Sequence, residues 1–82
     1  MISFNDNSSP HSQAAASYQH WAASARSNPA DATAQFNHGW WASRVGRFRE
    51  AIAAYERAIA QGIDGPEEAY SNIASIYSDH LG

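Results

Sequence analysis

The sequence predicts an all-α domain of about four helices, and three observations carry that prediction. Apolar residues recur at steps of three and four over most of the chain. The interruptions fall at Asn28-Pro29, Gly46 and the Gly62 to Pro66 stretch, which are residues that begin and end helices. No segment alternates β-branched or aromatic residues with polar ones, as a half-buried strand would.

Residues 1–12 are polar and without periodicity, and read as a disordered lead-in to a helical domain over 13–82. A first helix is expected over 13–27, with Ala14, Tyr18, Trp21, Ala22 and Ala25 on one face. Asn28 and Pro29 suit the N-cap and first turn of a second helix over 29–45, with Asp31 placed to meet the helix dipole. The third helix, 47–61, has the clearest stripe: Phe48, Ala51, Ile52, Tyr55, Ala58 and Ile59 face inward, while Arg49, Glu50, Glu56 and Arg57 face solvent. Gly62 suits the left-handed residue past a helix end. A fourth helix is expected over 66–80, with Glu67 and Glu68 in its first turn.

Composition narrows the function classes. A single domain of 82 residues has little surplus stability with which to build a deep cleft. There is no cysteine, hence no disulfide and no thiolate metal site. The net charge of −3, with five arginines against eight acids, supplies no basic face for nucleic acid or for an anionic membrane. No stretch reaches the roughly 18 apolar residues of a membrane span, and the opening residues lack the basic and apolar regions of a secretory signal. A cytoplasmic location follows as the expectation.

Shifting the chain against itself reveals a repeat. At a spacing of 34, Tyr18 falls on Ile52, Trp21 on Tyr55, Ser24 on Ala58 and Ala25 on Ile59. At 35, Asn37 falls on Asn72, Gly39 on Ala74 and Ala42 on Tyr77. With the run G-R-F-R-E-A-I-A-A-Y-E-R-A-I from Gly46, this resembles the tetratricopeptide repeat. Gly39 and Gly46 match the family's small positions, at the close approach of paired helices and at the turn. Phe48, Ala51, Tyr55 and Ala58 match its alternating aromatic and small positions, and Tyr70, Ile73, Ala74 and Tyr77 its first-helix pattern. Gln35, His38 and Ala42 depart from it, standing where the family has larger apolar residues. The resemblance covers about two repeats' worth of chain, a short or truncated array, and implies antiparallel helix-turn-helix pairs forming an α-solenoid fragment.

The same resemblance implies a protein- or peptide-binding scaffold with a concave groove. Thr33, Phe36, Asn37, Trp40 and Arg44 form one stripe on the second helix, and Glu68, Ser71, Asn72, Ser75 and Asp79 the corresponding stripe on the fourth. Asn37 and Asn72 are expected to be neighbours there, able to give and accept hydrogen bonds along a peptide backbone. The candidate partner-binding residues are Phe36, Asn37, Trp40, Arg44, Asn72 and Ser75. Trp40 is expected in the groove, while Ala34, His38, Trp41 and Val45 pack inward. A second reading places the chemistry elsewhere. The stretch from Gly62 to Leu81 resembles bacterial tetratricopeptide proteins that continue into sulfotransferase-like domains, so the chain would be the N-terminal part of a larger enzyme.

No independent catalysis and no cofactor are expected, because the serines and carboxylates form no nucleophile motif and the glycines no phosphate loop. His11, His20, His38 and His80 lack the spacing of a metal site; His20 and His80 are expected to face solvent and His38 to be packed. On the 66–80 helix, Ile73 and Ile76 can pack back onto the third helix. Tyr70, Ala74 and Tyr77 then remain as an apolar strip favouring self-association, unless Ser71, Asn72, Ser75 and Ser78 make this helix a polar cap.

Overall fold

The computed structural model describes the backbone from Pro10 to Gly82 and the side chains from Gln13 onward. Within these residues the chain is all-helical: α1 (Pro10–Ser27), α2 (Ala32–Arg44), α3 (Phe48–Ala60) and α4 (Pro66–Ile76), the last continuing into a π-helical turn, Tyr77–Leu81. The expected lead-in over residues 1–9 lies outside the described residues, whereas Pro10 to Ser12 belong to α1.

The junctions explain the boundaries. Gly46 and Gly62 both have left-handed backbones, with φ of 86° and 82°. At the first, the Arg47 and Gly46 amides donate back to the carbonyls of Ala42 and Ser43; at the second, those of Ile63 and Gly62 donate to Ala58 and Ile59. Each is a Schellman closure, which satisfies carbonyls that the helix end leaves free. Two helices thus end in the same way.

The start of α2 corrects the sequence expectation. Asp31, not Asn28, is its N-cap, accepting from the Ala34 amide at 3.1 Å. Asn28 instead closes α1, its amide N–H donating to the Ser24 carbonyl, and Pro29 and Ala30 form the turn between. Asp31→Ala should therefore lower stability by about 1 kcal/mol while Asn28→Ala costs less; paired urea titrations at neutral pH check the ordering.

Successive helices pack in chain order and run antiparallel. Gln35 meets Arg57 and Gly39 meets Tyr55 across α2 and α3, while Tyr55 meets Asn72 and Phe48 meets His80 across α3 and the end of the chain. In each case, moving forward on one helix means moving back on the other. The core comprises Ala42, Ala51, Ile52, Tyr55, Ala69 and Ile76, with Tyr18, Phe36, Phe48, Ile59, Ile73 and Leu81 packed around it. Its small residues do specific work. An added Cβ on Gly39 would stand 2.9 Å from the Tyr55 ring, so only glycine lets that ring lie flat on α2.

Gln35 fills a core position with a polar side chain, and Glu50 departs from the sequence expectation. Gln35 is 2 % exposed. Its Nε2 donates to the carbonyls of Ala25 and Pro29, and its Oε1 accepts from Arg57 Nε. A polar side chain is tolerated at this core position because it satisfies carbonyls at the end of α1 and in the following turn. Glu50, expected to face solvent, is half-buried because Tyr18 and His38 converge on it. The Tyr18 hydroxyl donates to Glu50 Oε2 at 2.6 Å, and His38 Nε2 lies 2.7 Å from the same oxygen. Arg47 reaches the other carboxylate oxygen at 3.7 Å, with its guanidinium over the Tyr18 ring.

Candidate groove between the second and fourth helices

Trp40 and Arg44 stand one turn apart on α2, which places both on the flank turned toward the α4 end of the molecule. Trp40 is 39 % exposed, and the Arg44 guanidinium lies 5.5 Å from the centre of its ring, within cation–π range. Opposite them, α4 contributes Asn72, Ser75 and Ile76, and the π-helical turn contributes Asp79 and His80. With Ser43 and Tyr55 these groups enclose a cavity of about 170 Å³.

Four of the six residues expected to bind a partner, Trp40, Arg44, Asn72 and Ser75, therefore meet at one cavity. The other two do not line it. Phe36 is half-buried and sets its ring edge-on to Tyr55 at 5.2 Å, so it supports the cavity floor from within the core. Asn37 is half-buried on α2, outside the cavity lining, and the expected pairing with Asn72 across the groove is replaced by a different contact. Asn72 Nδ2 donates to the Tyr55 hydroxyl at 3.2 Å. That bond leaves the Asn72 carbonyl oxygen available to a ligand.

The electrostatics of the floor are set by Tyr55. Burial pushes its phenol up to about 12, against a smaller opposing effect of the Asn72 hydrogen bond and with a minor addition from the Glu68 charge. The hydroxyl is thus a neutral donor at physiological pH. Arg44 and Asp79 give the rim one charge of each sign.

Of the two adjacent tryptophans on α2, Trp40 is the more exposed, and Trp41 is half-buried. His38 is buried at 7 %, and His20 is exposed with its ring edge-on to Trp21. His80 is exposed, but its ring stacks on Phe48 at 3.9 Å, a contact created by the π-helical turn. The side chain of His11 lies outside the described residues. Ser43, Tyr55, Ile76 and His80 also line the cavity between α2 and α4, and the sequence reading does not place them there. The periodicity of α3 identified Tyr55 only as core, and nothing in the local pattern announces the π-helical turn that positions His80.

A larger cavity, about 250 Å³, lies among Ala22, Ala25, Arg26, Pro29, Gln35, His38 and Arg57. The amide atoms of Gln35 are already bonded within the chain, and Arg57 is committed to Gln35. Among the described residues no group of three or more His, Asp or Glu side chains is placed to hold a metal ion. No described helix is long and apolar enough to cross a membrane. Compared with protein-family models, curated proteins and solved structures, the chain finds no significant match.

Proposed function

We propose that the chain is a short helical-repeat module of tetratricopeptide type that binds an extended protein segment in the groove between α2 and α4, without covalent chemistry and in a cytoplasmic setting. The observation that carries this reading is the meeting of Trp40 and Arg44 from α2 with Asn72 and Ser75 from α4 at one cavity, although the two pairs lie about 30 residues apart in sequence. Two features support the repeat. Tyr55 lies on Gly39 at the expected small position, and successive helices run antiparallel. In this reading Trp40 is the apolar anchor, Arg44 holds the ring and meets an acidic group, and Asn72 and Ser75 bond the ligand backbone.

Trp40→Ala tests the assignment. Peptides selected from a random display library on the wild-type chain should bind the variant at least tenfold more weakly, because a central aromatic anchor typically supplies about 2 kcal/mol or more. Its helical circular dichroism and melting temperature should change little, since the ring is partly in solvent. Unchanged peptide affinity, or loss of helical signal in this variant, contradicts the proposal.

A further inference from the structure

The spacing of 35 residues makes α2 and α4 equivalent, yet their corresponding faces differ in what covers them. On α2, Gln35, Gly39 and Ala42 are all buried, with α3 laid across Gly39 through the Tyr55 ring. Their equivalents are Tyr70 and Ala74 on α4 and Tyr77 at the start of the π-helical turn, the last beside Arg49 and Glu56 of α3. All three are exposed, the tyrosines at 58 % and 51 %. The α4 face is built to the plan of a face that, on α2, receives a helix like α3.

A helix of that kind exists elsewhere in the same chain. At the spacing of 34, α1 places Ser17 where α3 has Ala51, Trp21 where it has Tyr55, and Ser24 where it has Ala58. Those α3 residues are fully buried. In α1 it is Ala22 and Ala25 that are buried, beside Gln35 and His38 of α2, while Ser17, Trp21 and Ser24 remain partly open and His20 is exposed. The molecule thus carries both halves of one helix pair, at opposite ends of its helix order.

We propose that copies of this chain associate head to tail, the α4 face of one copy receiving α1 of the next, with the incoming Trp21 indole over Ala74 as Tyr55 lies over Gly39. The methyl of Ala74 holds the indole slightly further off than glycine would. Charge favours the same register. The first turn of α4 carries Glu67 and Glu68, and the last turn of α1 carries Arg26. Glu68 and Arg26 correspond to Thr33 and Ala60, which the antiparallel register of α2 and α3 places at one level. Because the two faces differ, the contact is heterologous and propagates rather than closing into a two-fold dimer. A single helix pair buries less than a standard interface, so the association is weak and needs high concentration to be seen. This inference is independent of the groove reading.

Sedimentation of the full chain between about 10 μM and about 1 mM tests it. The mean mass should rise with concentration and pass that of a dimer. Ala74→Arg, at an exposed helical position, should remain monomeric, and so should Trp21→Ser. An equimolar mixture of the two should form a heterodimer and grow no further, since each variant retains one intact face. Where Trp21→Ser loses helical circular dichroism, Arg26→Glu replaces it: this exposed change should weaken association a few-fold, and Glu68→Arg in the same chain should restore it. A wild-type chain that stays monomeric at 1 mM overturns the proposal. So does a folded Trp21→Ser that associates as the wild type does, which would mean that α4 faces pair with each other or that another segment covers them.

Discussion

Tyr55→Ala is expected to leave the chain largely unfolded at 37 °C. The ring is 1 % exposed, touches Gly39 on α2, receives the Phe36 edge and carries the hydroxyl that accepts from Asn72 on α4. One side chain therefore joins three of the four helices. Truncating a buried aromatic costs about 3–5 kcal/mol, comparable with the whole stability of a small domain, typically about 5 kcal/mol at its lower end. Tyr55→Phe separates the ring from the hydroxyl and should cost about 1 kcal/mol. It also has a pH signature. The folded-state phenol titrates near 12, above the ordinary value of 10.0, so the folded state holds its proton more tightly than the unfolded chain. The resulting stability is complete below pH 10 and is lost as pH rises toward 12. Tyr55→Phe should flatten that alkaline decline. Thermal melts followed by circular dichroism measure both effects; a Tyr55→Ala melting temperature within a few degrees of wild type would contradict the packing account.

Glu50→Ala is the second large effect. The carboxylate accepts from Tyr18 on α1 and from His38 on α2 at a single oxygen. A carboxylate has no proton to give, so His38 must donate from Nε2. His38 Nδ1 is buried and has no hydrogen-bond partner among the described residues. Without Glu50 the imidazole would be buried with neither nitrogen bonded, and the Tyr18 hydroxyl would also lose its acceptor. A loss of about 2–4 kcal/mol is expected. Burial pushes the Glu50 carboxyl up, but the Tyr18 and His38 hydrogen bonds, with the His38 and Arg47 charges, together hold it below its ordinary value of 4.5. The same bond to Glu50, with burial, raises the Tyr18 phenol. For a lowered carboxyl, the stabilisation is present above the unfolded-state value and disappears as pH falls through the folded-state value. Glu50→Gln should remove this acid-side decline while retaining part of the hydrogen bonding. Urea midpoints measured from pH 3 to pH 7 read the difference, and identical acid limbs for wild type and Glu50→Gln would refute it.

The parts of this fold that were legible in the sequence are those set by local pattern. The stripe on α3 identified Ala51, Ile52, Tyr55 and Ala58 as core, and all four are buried. Gly62 was expected to be left-handed and is. Local sequence leaves the N-cap of α2 undecided, because Asn28 and Asp31 are both competent caps; in the structure Asp31 bonds the Ala34 amide. Glu50 was misassigned because its burial arises from residues 32 and 12 positions away, which no helical stripe reports. The groove shows the same division. Trp40 and Arg44, like Asn72 and Ser75, could be grouped by helical spacing, and the shared cavity followed. The Asn72–Tyr55 bond, in place of an Asn37–Asn72 pairing, is a contact between helices that the spacing along either one does not report.

The most direct test of the groove is an amide chemical-shift map of the chain titrated with a library-selected peptide. The account predicts shifts concentrated at Trp40, including its indole N–H, and at Ser43, Arg44, Asn72, Ser75 and Asp79, with α1 little affected. Shifts centred on α1 or on the Arg26, Gln35 and Arg57 cavity, with Trp40 and Asn72 unmoved, would contradict it.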